Sequence, residues 1–378
     1  FREQDTRDEL GIASIRDTVA ELLFPGTGTL QTRARYFLFI PWLFTRRENK
    51  YHVETKAREL LQNDEIWLMD SLITKKEDGV IGQRSRASLH RFPSSIYWNG
   101  LRTWGILQFT GSVGQYYQSL GYFYNRQRDY RLQDKDSPTL DKPPSNWDHE
   151  TPEIPNGFPG DVDFNLTAAE GMYLKDRIQI SCPRSMLAYL VRETEPIEGI
   201  AFPWHHPNKL AFPEHLQELL IYAQNFSEAI WGAALLYNLL LATKAGMDEL
   251  VNDYQKDLKQ WRDIVQTRWA QFQEWDTDAF WKRLSLSGNI PSSTLDFANA
   301  WLDLVLRQPK APNLVNYASA HEMIRTREFR LKRGRSRFEN PRRLEMWGGR
   351  SGAAQLNFRW PIGNQIANDI LNGISKGE

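Results

Sequence analysis

Ten basic residues crowd the stretch from Arg325 to Arg350: Arg325, Arg327, Arg330, Lys332, Arg333, Arg335, Arg337, Arg342, Arg343 and Arg350. Only Glu328, Glu339 and Glu345 oppose them, and ten against three leaves a net charge of +7. Clustered guanidinium and ammonium groups release counterions from a phosphate backbone, and aromatic rings can stack on exposed bases. Phe329, Phe338, Trp347, Phe358 and Trp360 interleave with the cations, and Arg359 extends the pattern. The chemistry expected of this stretch is nucleic-acid binding, to DNA or RNA. The residue types encode no base specificity. The competing expectation is a salt-bridged face docked on an acidic surface.

Other groupings carry weaker chemical signals. Pro25-Gly26-Thr27-Gly28-Thr29 has the small residues of an anion-binding loop, and Arg33 and Arg35 make a possible anion site with it. It lacks the Gly-Lys-Ser/Thr ending of a phosphate loop, so a plain turn between helices is the ordinary reading. Glu3, Asp5, Asp8 and Glu9 place carboxylates at helical spacing, as a divalent metal in a nuclease or phosphodiesterase would require, although alternating charge usually marks a solvated face. His205, His206, Glu214, His215 and Glu218 contain metal-ligand types, but the neighbouring prolines favour a structured loop. The single cysteine, Cys182, excludes an internal disulfide framework. No Gly-x-Ser-x-Gly elbow is present. The segment from Arg84 to Leu107 is thin as a helix-turn-helix, because Trp98 and Trp104 look like core. No catalytic residue, metal ligand or cofactor is assigned from the sequence.

These groups need elements to hold them. Hydrophobic residues at 41% and charged residues at 25% describe a folded chain rather than a disordered one. Forty-seven basic residues balance forty-seven acidic ones, which excludes a uniformly basic coat protein. Apolar spacing predicts helices over about 11–23, 54–73, 95–107 and 113–128, with another before Pro41, which ends or kinks it. Thr167 and Glu170 form a capping box for a short helix. Residues 213–243 predict a long helix closed by Gly246. Leu250, Tyr254, Leu258, Trp261 and Val265 then step by three and four, so the two helices form an antiparallel hairpin.

The apolar run Ala229–Ala242 is too short to span a membrane and reads as buried core. The charge-dense opening is not a signal peptide, and a cytoplasmic location without membrane contact is expected. Six prolines, and eight acidic residues against two lysines, mark Asp134–Asp163 as a linker or wrapping loop. Alternation at 329–332 and 356–360 predicts short strands. The expected fold is mainly α, with multi-helix globular domains and a small C-terminal basic β-ribbon. Its segments are an N-terminal helical domain (1–133), a Pro-rich acidic linker (134–165), a helical domain with the hairpin (166–310) and a basic C-terminal segment (311–378).

The opening FREQDTRDELGI, then Ile15-Arg16-Asp17, Leu23-Phe24-Pro25-Gly26-Thr27, Gln31-Thr32-Arg33-Ala34-Arg35-Tyr36-Phe37 and Phe92-Pro93-Ser94-Ser95-Ile96-Tyr97-Trp98-Asn99-Gly100-Leu101, resemble a bacterial family of unknown function. The resemblance covers most of the chain. It implies a setting among anti-phage defence islands, with a helicase and a phospholipase-D-like protein as companions. It carries over no catalytic residue. The expected role is a non-catalytic nucleic-acid-binding or scaffolding subunit of a defence complex. The alternatives are a metal-dependent nuclease or phosphodiesterase, and a pure protein-docking scaffold.

Overall fold

The computed structural model describes residues 8–48, 54–84, 89–133, 145–193 and 195–376. Their α-helices are α1 (Ala13–Leu23), α2 (Tyr36–Glu48), α3 (Glu54–Thr74), α4 (Pro93–Thr103), α5 (Val113–Gln133), α6 (Ala168–Ser181), α7 (Met186–Glu193) and α8 (Glu214–Ala245). There follow α9 (Asp248–Thr267), α10 (Trp269–Gln273), α11 (Thr277–Ser285), α12 (Ser292–Leu306), α13 (Ala318–Lys332), α14 (Pro341–Glu345) and α15 (Trp360–Ser375). The only strand-type pairing among the described residues is one antiparallel bridge between Leu107 and Trp147. The chain groups into two units, one of Phe1–Leu22 with Phe202–Phe358, the other of Leu23–Ala201 with Arg359–Glu378.

The first unit is built on α8, which packs against α9, α12, α13 and α14. Twenty of its residues are buried, so a helix of this length needs partners on most sides. It is the one described helix long and apolar enough to cross a membrane, and 83% of its apolar window is buried in the protein, as expected of a core helix. Gly232 leaves a notch for Trp261 of α9: a Cβ there would lie 2.6 Å from the indole. The Trp261 indole N–H donates to the Glu228 carbonyl at 2.8 Å. Gly246 ends the helix at φ 68°, a left-handed conformation that costs glycine little.

The second unit is an aromatic core around α2, which runs on through Pro41 instead of ending there. Nine consecutive residues from Tyr36 to Phe44 are buried, and packing on all sides outweighs the backbone bond that the proline removes. Phe37 stacks on Trp104 at 3.8 Å. Gly100 of α4 approaches the turn at Gly26 so closely that a Cβ would stand 2.3 Å from that carbonyl. α15 packs against α6 and α7. The capping box at α6 forms as its residues predict, with Glu170 N–H donating to Thr167 Oγ1 and Thr167 N–H to the Glu170 carboxylate.

Residues 134–144 of the acidic linker lie outside the described residues. The described part wraps its own unit. The Trp42 indole donates to Pro152 O at 2.7 Å, and Phe158, Val162 and Phe164 are buried. Its carboxylates pair with cations of that unit: Asp148 with Arg177, Asp161 with Lys75 and Asp163 with Arg35.

The expected C-terminal β-ribbon does not form. Residues 329–332 are the last turn of α13: the inward positions just before them are Arg327 and Glu328, and the alternation of Phe329 and Leu331 follows no buried face. The segment 349–358 is an irregular strap fixed by side chains of α8 and α9 rather than by another strand. Tyr254 donates to Gly349 O, Asn238 to Ser351 O, Trp231 to Ala353 O and Ser227 to Leu356 O. Phe358 and Arg359 then take φ 49° and 65°, which no strand continues through.

Candidate nucleic-acid interface

The basic segment divides into two sets of side chains. The inward set is Arg327, Lys332 and Arg337. Arg327 donates to the carbonyls of Leu10 at 2.8 Å, Gly11 at 3.1 Å and Ser293 at 2.8 Å, so one guanidinium ties the segment before α1 to the first turn of α12. Its ring partner is Phe297, 4.8 Å away. Lys332 and Arg337 converge on Glu9, Arg337 at 2.9 Å. The Ser351 hydroxyl also donates to that carboxylate. Both cations donate to the Tyr237 hydroxyl, Lys332 at 3.0 Å and Arg337 at 2.7 Å. Glu328 completes the network, pairing with Lys332 at 3.3 Å and accepting from the Arg337 N–H at 2.8 Å and from Ser336.

Burial works against the charge of Glu9, but hydrogen bonds from Lys332 and Ser351, with the charge of Lys332, hold its carboxyl down at about 2. The Tyr237 phenol is driven upward, first by burial and then by the Glu9 charge, so it stays a neutral hydroxyl. Three of the ten cations in the stretch are thus committed to holding the first unit together.

The outward set is Arg325, Arg330, Arg333, Arg335, Arg342, Arg343 and Arg350, all exposed. Arg325 and Arg330 stand on opposite flanks of the exposed side of α13. Arg333 and Arg335 lie in the single 3-10 turn that follows, and Arg342 and Arg343 on α14. Among the described residues no ion pair engages these six. Arg350 differs, because it acts on the Asp257 carboxylate. Within Arg325–Arg350 the exposed acidic residues are Glu339 and Glu345. Seven exposed arginines against two exposed glutamates leave +5 at the surface.

The other predicted groups are placed as follows. Arg359 belongs to the second unit and donates to Thr27 O at 2.7 Å. Arg33 pairs with Asp369 at 3.0 Å and Arg35 with Glu170 at 2.8 Å, so the carboxylates of their own unit occupy both. The Pro25–Thr29 turn spends its polar groups locally, with Gly28 N–H on Gln31 and the Gln31 amide on Gly26 O. Glu3 and Asp5 lie outside the described residues. Asp8 accepts from the Ile12 and Ala13 N–H groups at 2.8 Å, starting α1, while Glu9 turns to its cations. Among the described residues no group of three or more His, Cys, Asp or Glu could hold a metal ion. His206 Nδ1 accepts from Asn208 N–H at 3.2 Å in its loop. Trp98 and Trp104 are buried, as the weak helix-turn-helix pattern implies.

Sequence reasoning missed Tyr237 and Asn238, which receive the basic segment. They are the two polar interruptions in the most apolar run of the chain, and that interruption was the available signal. It also missed Glu48 and Glu65 in the second unit. Glu48 accepts from Asn146 at 3.0 Å and Trp147 at 3.2 Å, and burial lifts its carboxyl to about 7. Glu65 accepts from the Ser94 N–H at 2.7 Å and its hydroxyl at 3.1 Å, starting α4, and burial lifts it to about 8.

Fold and surface together define a mainly helical protein with a locally positive, arginine-rich surface inside a chain of zero net charge. The chain belongs to a family of unknown function, DUF6361, whose family model matches residues 1–373. No curated protein and no solved structure matches it.

Proposed function

We propose that the protein is a non-catalytic, nucleic-acid-binding component of a bacterial anti-phage defence assembly. Arg325, Arg330, Arg333, Arg335, Arg342 and Arg343 are its contacts to phosphate. The observation that carries this reading is their exposure, without an ion pair among the described residues, beside only two exposed glutamates. Charges left unpaired at a surface are available to a polyanion. The defence setting, with a helicase as partner, rests on the resemblance of the opening motifs.

A second reading has an observation of its own. Phe329, Leu331 and Met346 are 51%, 41% and 73% exposed among the arginines, a mixture that also suits an acidic protein with apolar anchors.

The test is a salt-titrated binding assay with Arg330, Arg333, Arg335 and Arg342 changed to Glu. Arg327, Lys332 and Arg337 stay intact, because changing them disturbs the fold. Up to six phosphate contacts make wild-type affinity fall roughly a thousandfold between about 50 and 200 mM salt. The variant is expected to lose at least a hundredfold at about 50 mM salt while keeping its circular dichroism. Undiminished binding in the variant, or no wild-type binding at the low salt, overturns the reading. Copurification of a partner protein that survives nuclease treatment favours docking instead.

A further inference from the structure

Resting on that reading, we infer that the ligand is double-stranded B-form DNA held by its backbone, rather than a single strand stacked on aromatic rings. The sequence interleaves five aromatic residues with the cations, which is the composition of a single-strand binder. Folding withdraws four of them. Phe338, Trp347, Phe358 and Trp360 are buried, packed against their own units. Trp347, Phe358 and Trp360 are 3%, 1% and 0% exposed, so no base can reach their faces. Phe329 alone remains at the surface. A sequence-tolerant single-strand groove needs rings in succession, because each stacked base requires its own platform.

The guanidinium groups have the opposite fate. Arg325 and Arg330 lie five residues apart on α13, roughly 7.5 Å along its axis and about 140° apart around it, one on each flank of its exposed side. Arg333, Arg335, Arg342 and Arg343 continue the charge past the end of that helix. A duplex offers a phosphate about every 1.7 Å of axis, so arginines spread over such a distance meet phosphates in any register. With Arg325 and Arg330 on its two flanks, α13 meets phosphates on both walls of the B-DNA major groove, which at roughly 12 Å wide admits an α-helix. The deep, narrow major groove of A-form RNA does not.

The experiment measures fluorescence anisotropy with three labelled probes of equal length and mixed sequence: duplex DNA, one of its strands, and duplex RNA. Each is titrated with the full chain and with the Phe329→Ala variant. The duplex DNA is expected to bind at least tenfold tighter than the other two. Its log–log salt slope should approach about −5, from roughly −0.9 per contact over six arginines. Phe329→Ala should change duplex affinity less than about twofold, because the ring is not a stacking platform. Tighter binding of the single strand, with a tenfold or greater loss in Phe329→Ala, overturns the inference and leaves nucleic-acid binding standing. Equal binding of duplex RNA also overturns it. Failure of all three probes to bind at about 50 mM salt removes the inference and the proposed function together.

Discussion

Both units bury carboxylates, and Glu9 in the first meets the opposite surroundings from Glu48 and Glu65 in the second. In the first unit Glu9 is met by Lys332, Arg337 and Ser351 and is held ionised, its carboxyl near 2. In the second, Glu48 and Glu65 are met by an amide, an indole, a backbone N–H and a hydroxyl, and their carboxyls rise to about 7 and 8. Burial is common to all three, so it does not decide the outcome. What separates them is whether a cation hydrogen-bonds directly to the carboxylate and so offsets the lost hydration; Arg126 acts on Glu48 through its charge alone. The contrast is between these groups and not between whole units, because the second unit pairs its buried Asp369 and Glu170 with Arg33 and Arg35.

The sharpest way to break this contrast is Glu9→Ala. It leaves Lys332 and Arg337 close together without their carboxylate, and the first unit should lose about 3 kcal/mol, near the low end for a broken buried pair because both cations are partly exposed. Hydrogen exchange read on peptides of α8 and α13 checks this, with the loss confined to that unit. Protection unchanged from wild type would mean that Glu9 does not anchor the strap.

A second effect is on pH dependence, and its sign differs between these groups. Glu65 has a folded value of about 8 against an ordinary value of 4.5. The folded chain keeps this proton after the unfolded chain has lost it. Its stability is full below the unfolded value and falls as pH rises through the folded one. Glu65→Gln is neutral throughout, so from about pH 5 to 8 it should gain on wild type by about 3 to 4 kcal/mol. Glu9 is the reverse: its contribution is present above 4.5 and is lost as pH falls toward about 2. Urea denaturation of wild type and Glu65→Gln across that range measures the difference. A constant gap between them would show that Glu65 does not titrate as its burial requires.

Much of the helical framework was legible in the residues. The stripe from Leu250 to Val265, the Gly246 stop and the Thr167–Glu170 box all act locally, within a few turns, and each appears where its spacing places it. The interior of the basic segment was not legible. Arg327, Lys332 and Arg337 find their partners at Leu10, Gly11 and Glu9, more than 300 residues away, and no local pattern encodes that pairing. The same cause misled the strand reading. Toward the end of α13 the outward residues include Phe329 and Leu331 and the inward ones Arg327 and Glu328, an inversion of the usual rule that only the distant partners explain. The charge of the segment was plain in the sequence, but its division into structural and available cations required the fold.

That division yields the smallest effect and the one on which the proposed function leans. Arg327 and Arg330 are three residues apart on one helix, yet Arg327 is buried against three carbonyls and Arg330 is exposed. If the outward arginines serve a ligand and not the fold, removing them costs the fold almost nothing. Arg330→Ala and Arg342→Ala should each shift unfolding free energy by less than about 0.5 kcal/mol, the usual scale for a surface substitution. The paired denaturation curves must be compared at low salt, where surface charges act most strongly. A loss above about 1 kcal/mol in either variant would place that arginine with Arg327 as a structural cation. It would then leave the set of phosphate contacts, and the expected salt slope would shrink by about one for each residue so reassigned.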